Sequence, residues 1–200
     1  MKKLALTALF AAAICCSAAQ AQEAKAAVPA AQTPAGPVAA SLTTPANPAD
    51  VASVDAIIAA LYDVISGPAG KQRDWKRLHS LFTPEARMVA IGTRPAGPAA
   101  ASFGARAMSV DDYIARTTKP FSEAGFFESE LARSSETFGQ LVHVFSTYEA
   151  RHAAADAKPF VRGINSIQLF HDGARWWILN LAWRAEDDKL ALPERYLKSR

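Results

Sequence analysis

Asn165 and Asn180 stand in the two arms of the stretch Phe160 to Trp183, each an amide set among apolar neighbours. An amide in such a setting orients a ligand by hydrogen bonding but does not exchange a proton. The arms flank Asp172-Gly173, a dipeptide that readily supplies the φ > 0 of a tight hairpin turn. With a two-residue turn, His171 pairs with Ala174, and counting back sets Asn165 opposite Asn180, Ile167 opposite Ile178 and Leu169 opposite Trp176. The other face then carries Arg162, Ile164, Ser166 and Gln168 with Trp183, Leu181, Leu179 and Trp177. The asparagine pair either satisfies itself and buried backbone or orients a ligand. Arg162 reads as an anion clamp or as a surface arginine laid over Trp183. Tyr148 and His143 fall on opposite sides of their strand and have no partner of known position.

Other chemistries lack residues to carry them. The histidines His79, His143, His152 and His171 have no metal-ligand spacing, and no Gly-x-Ser-x-Gly elbow or Gly-rich phosphate loop occurs. Both cysteines, Cys15 and Cys16, lie in the N-terminal segment: Met1-Lys2-Lys3 is a positive start, Leu4 to Cys16 an apolar run, and Ala19-Gln20-Ala21 a small-x-small cleavage site. That is the arrangement of a signal peptide, too short to span a bilayer that requires roughly 20 apolar residues. The expected mature chain starts at Gln22, is periplasmic or secreted, keeps no stable membrane anchor and contains no thiol for disulfides or nucleophilic catalysis. The 22 Lys and Arg against 19 Asp and Glu become 20 against 19 once Lys2 and Lys3 are removed, a balance that suggests neither nucleic acid nor an anionic membrane as partner.

The elements that must position these residues follow from composition and periodicity. Residues 22–50, dominated by Ala, Pro, Gln and Thr, read as a disordered linker. From Val51, apolar residues Val54, Ile57, Ile58, Leu61, Val64 and Ile65 recur at helical spacing, with Asn47 or Asp50 as caps and Gly67-Pro68 as the stop. Asp74 caps a short second helix that turns Trp75, Leu78, Leu81 and Phe82 inward and ends at Thr83-Pro84. A strand is expected over 86–92, then a long loop over 93–107, rich in Pro, Gly and Ala. Ser109-Val-Asp-Asp112 opens a third helix ending near Pro120. Strands at 126–136, 140–151, 159–171 and 175–185 complete an α+β layout in which N-terminal helices pack on a curved antiparallel sheet.

This order, with Leu81-Phe82-Thr-Pro-Glu-Ala86 closing the second helix, resembles the nuclear transport factor 2-like superfamily (SnoaL-like and ketosteroid isomerase-like) over about 51–197. Arg162-Gly-Ile-Asn-Ser-Ile-Gln168 with Arg175-Trp-Trp-Ile178 looks like exported bacterial members without settled activity. The resemblance implies a cone-shaped α+β barrel, a fold used by isomerases, cyclases, dehydratases, epoxide hydrolases and plain binding modules. In the isomerases it implies a carboxylate base on the first strand, but Arg87 to Gly92 contains none and Glu85 lies at its mouth. It places Asn165 toward the cavity, in a position where those isomerases carry an acid, and suggests Tyr62 on the first helix, although extra residues between Gly67 and Asp74 disturb that match. The expected ligand-binding set is therefore Asn165, Asn180, Ile167, Trp176 and Tyr62, with no catalytic residue assigned, no metal and no cofactor.

Three classes of function stay open. A binding module for a small apolar molecule needs only the cavity and its orienting amides. An enzyme on such a molecule, a dehydratase, isomerase or hydrolase, needs a carboxylate or histidine directed into the cavity. A homodimeric interaction module would use an outer apolar face of Trp177, Leu179, Leu181 and Trp183.

Overall fold

Ser53, extended at φ −149° and ψ 167°, accepts a hydrogen bond from the Ala56 amide at 3.0 Å and starts the first helix, α1 (Val54–Ile65). The computed structural model describes residues 45–94 and 102–198. The expected signal peptide and most of the expected linker lie outside them. Asn47 caps a short 3-10 turn, Pro48–Val51, rather than α1. Its Asp50 is buried against the Arg77 guanidinium at 2.7 Å, so 47–50 belong to the folded part and not to a tether. Asp74 caps α2 (Trp75–Leu81), and Leu78 and Leu81 pack beside Ile57 and Leu61 of α1 in one core.

Six strands follow or interleave: β1 (Phe82–Arg94), β2 (Ser102–Met108), β3 (Phe127–Phe138), β4 (Leu141–Arg151), β5 (Val161–His171) and β6 (Trp176–Ala185). They form one sheet in the order β2-β1-β6-β5-β4-β3. The sheet is mixed, not wholly antiparallel as expected, because β1 and β6 run side by side in the same direction. The expected loop over 93–107 contains β2, which pairs with β1 from Met88 opposite Met108 to Arg94 opposite Ser102. Its Gly and Ala residues leave most of the strand exposed, so backbone pairing rather than side-chain burial holds this edge.

The third helix, α3 (Val110–Glu123), begins with the expected capping box between Ser109 and Asp112. It runs through Pro120 instead of stopping there. Phe121 supplies the reason: it is buried and stacks on Phe126 at 4.9 Å and on Trp75 at 6.3 Å, which holds the final turn despite the missing amide hydrogen. α1 touches both β3 and β6 and α3 touches β1 and β2, so helices cover one face of a sheet that must curve to meet them. The core lies between, with Ile57, Leu78, Leu81, Val144, Ile167, Leu169 and Ile178 fully enclosed. No helix among the described residues is long and apolar enough to cross a membrane.

The β5–β6 hairpin departs from its expected register twice. The turn spans Asp172 to Arg175, with the Asp172 amide on the Arg175 carbonyl at 3.1 Å and Gly173 at φ 103°. Asp172 Oδ1 accepts from the amides of Ala174 and Arg175, which tightens this longer turn. His171 therefore pairs with Trp176, and the register shifts again beyond Leu169 and Ile178, leaving Leu179 as a bulge. One extra residue reverses the side-chain alternation from there on. Asn180 pairs with Gln168 on the outer face, while Leu181 and Trp183 turn inward.

Candidate functional site

Between α1, α3 and the inner face of the sheet lies a cavity of about 340 Å³, toward the small end of the range for small-molecule sites. Its walls are mostly apolar, with Leu61 and Ile65 from α1, Phe121 from α3, Met88 and Ile91 from β1, and Leu181 and Trp183 from β6. Polar side chains line it from five elements: Tyr62 (α1), Tyr113 and Thr117 (α3), Glu128 (β3), Tyr148 (β4) and Asn165 (β5), with the Thr117 hydroxyl spent on the Tyr113 carbonyl at 2.8 Å.

Asn165 and Tyr62, both expected there, meet inside the cavity: Asn165 Nδ2 donates to the Tyr62 hydroxyl oxygen at 3.1 Å. The same amide nitrogen donates to Glu128 Oε1, also at 3.1 Å. Asn180 is not part of the site, for the register reason above. Ile167 is sealed in the core beneath the cavity, and Trp176 packs on that core with its ring edge-on to His171 at 4.9 Å; neither lines the cavity. Arg162 is neither clamp nor cover for Trp183, since its guanidinium is held by Glu186 at 2.7 and 3.1 Å. His143 lies on the outer face and meets Ser166 at 2.9 Å, whereas Tyr148 points inward and is buried.

Glu128 is the residue that sequence reasoning missed. Its carboxyl sits among aromatic rings, and burial pushes its pKa up to about 7, against a smaller lowering from the Asn165 hydrogen bond. Burial, with the Glu128 charge as a further cause, pushes the hydroxyls of Tyr62, Tyr113 and Tyr148 well above the usual tyrosine range. Phe126 and Glu128 both line the cavity, as period-two alternation from Phe126 would allow. The competing alternation, which buries Phe127 and Leu131, is equally compatible with that stretch of sequence.

Gly163 makes room for the Tyr148 hydroxyl. A Cβ at Gly163 would stand 2.8 Å from that oxygen and 2.4 Å from the Arg184 carbonyl. Among the described residues, the hydroxyls of Tyr113 and Tyr148 have no hydrogen-bond partner, so both are free to donate to a ligand. The arrangement can therefore hold a carboxyl that is half ionised near neutrality beside two unspent donors in an apolar space.

No family model and no curated protein matches the chain. Among solved structures it is similar to an NTF-2-like protein of unknown function from Silicibacter pomeroyi DSS-3, at 18% identity over 68% of this chain and 94% of that chain, with TM-score 0.43. It is similar to the Kfla4162 protein of Kribbella flavida at 11% identity over 68% of this chain and 90% of that one, with TM-score 0.49. An NTF2-like protein of unknown function from Shewanella baltica OS155 shares 8% identity over 68% and 98% of the two chains, with TM-score 0.36. By its own element order, the described domain is an α+β fold in which three helices pack on one six-stranded mixed sheet, with the cavity between sheet and helices.

Proposed function

We propose that the domain is a small-molecule enzyme that moves a proton on a neutral, largely apolar substrate, with Glu128 as the group that takes up and returns it. The observation that carries this reading is the Glu128 carboxyl itself, placed in an apolar cavity with its pKa raised to about 7. A binding module needs no titratable group there, and burying one lowers stability wherever it must ionise. A base whose pKa lies near the working pH is what proton abstraction requires. No Lys, Arg or His lines the cavity among the described residues, so an anionic substrate would find no counter-charge. Tyr113 and Tyr148 would donate to a substrate oxygen on which charge develops. Isomerisation or dehydration next to a carbonyl fits this set.

The test follows solvent deuterium exchange beside the carbonyl in a panel of small cyclic ketones. Wild-type protein should catalyse exchange with a rate that rises through about pH 7, and Glu128→Gln should lose it by at least about 100-fold. Ketones that bind without exchanging, or exchange that survives in Glu128→Gln, would reject the enzyme and leave the binding module.

Two proposals stand on separate grounds. Export with cleavage after Ala21 rests on the Met1 to Ala21 sequence, and mass spectrometry should find Gln22 at the N-terminus. Pairing of two copies no longer rests on Leu181 and Trp183, which face inward. It rests on Phe138, Leu141, Phe170 and Trp177, cross-strand neighbours that form an apolar row over β3, β4, β5 and β6, with Phe138 88% exposed. Light scattering should report a dimer that Phe170→Glu dissociates.

A further inference from the structure

We propose that Glu130, anchored by Arg133, is a positioning residue that fixes the direction of a hydrogen-bond chain through Ser146 and Tyr62, so that Asn165 presents an N–H to Glu128. The inference rests on the reading of Glu128 as the proton-handling group. The register shift between Glu130 and Ala132 leaves Leu131 as a bulge, which brings Glu130 and Arg133 to the same side of β3. Arg133 donates to both Glu130 oxygens, at 2.6 to 3.0 Å, and its other arm reaches Asp55 of α1 at 2.6 Å. Glu130 is thus held as an ion-paired acceptor at the outer end of the chain.

The donor directions then follow one by one. Ser146 has one hydroxyl hydrogen and gives it to Glu130 Oε1 at 2.5 Å. Its contact with Tyr62 at 2.7 Å must therefore be a bond that Tyr62 donates. Tyr62 has no second hydrogen, so it accepts from Asn165 Nδ2, whose remaining hydrogen points at Glu128 Oε1. Turning the amide over would set the Asn165 oxygen against Glu128, two acceptors facing each other whenever Glu128 is ionised. An amide does not relay protons, so the chain orients and does not conduct. Tyr62 is spent inside it, which leaves Tyr113 and Tyr148 as the hydroxyls able to meet a substrate.

The ionisable groups facing Glu128 are Tyr62 from α1, Tyr113 from α3 and Tyr148 from β4, with Glu130 on its own strand. Arg73 acts on Tyr113 and Arg184 on Tyr148 from outside the cavity lining. Removing the Glu130 charge by itself would ease ionisation of Glu128 and lower its midpoint. Losing the Asn165 donor would raise it. The sign of the change therefore separates a bare charge effect from a positioning effect.

The experiment is a side-chain 13C NMR titration of Glu128 in the full chain, for wild type, Glu130→Gln, Ser146→Ala and the exposed control Glu136→Gln. Weakening one hydrogen bond to a charged acceptor should raise the Glu128 midpoint by about one pH unit in Ser146→Ala, and by less in Glu130→Gln, whose amide oxygen still accepts from Ser146. The control should leave it in place. A midpoint that falls or stays put in folded Glu130→Gln and Ser146→Ala would overturn the proposal, and Ser146→Ala alone decides if Glu130→Gln does not fold. Failure of the enzyme reading shows elsewhere, as ketone exchange that persists in Glu128→Gln.

Discussion

Replacing Glu128 by Gln removes the one carboxyl that the cavity forces toward its neutral form, and the structure sets both the size and the pH window of the effect. The folded-state pKa is about 7 and the ordinary value is 4.5. Between those values the unfolded chain has released the proton that the folded chain still binds, so stability falls as pH rises through that window and is level above it. At 1.36 kcal/mol per pH unit the loss is about 3 kcal/mol. Gln keeps the oxygen that accepts from Asn165 and cannot ionise. The variant should therefore gain about 3 kcal/mol on the wild type between pH 4 and pH 8, whatever its offset at pH 4. Urea unfolding of both proteins at each pH, read as the difference between them, isolates this residue from every other titrating group. A difference that stays constant across pH 4 to 8 would refute the raised Glu128 pKa and remove the ground for proton chemistry in the cavity.

Gly163→Ala places a Cβ 2.4 Å from the Arg184 carbonyl and 2.7 Å from Ala185 Cα, backbone that cannot swing aside, and should cost about 2 kcal/mol in urea unfolding. The Tyr148 ring should shift with it, visible in its NMR signals. Arg73, 5% exposed, donates to the carbonyls of Ile65, Gly67, Pro68 and Lys71, so Arg73→Leu should lose about 3 kcal/mol and loosen 66–73 to hydrogen exchange. Ser109→Ala removes the cap of α3 and should lower stability by about 1 kcal/mol, measured the same way.

Helices were the legible part of the chain because their evidence is local. Ser109 and Asp112 announce α3 three residues apart, and Asp74 announces α2 in the same way. Their ends were less legible where tertiary packing decides, as at Pro120, where the Phe121 stack overrides a residue that usually ends a helix. β2 was invisible for the opposite reason. Its side chains contribute little burial, and what makes it a strand is the β1 backbone beside it.

The site was half legible, and the division follows the bulges. Strand alternation carries facing information only as far as the residue count stays even, and the β6 wall of this cavity lies beyond a place where it does not. On β6, Leu179 adds a residue that sends Asn180 outward and brings Trp183 in. The expected asparagine pair thereby becomes one asparagine and a tryptophan wall. On β3, the bulge at Leu131 puts Arg133 on the side of Glu130, where continued alternation would have placed them on opposite faces. Asn165 was readable because the resemblance set its direction and β5 itself carries no extra residue to reverse it. Its amide then ties the readable part to the unread one: the nitrogen that meets Tyr62 also meets Glu128, so the residue found by sequence marks the position of the carboxyl that sequence did not reveal.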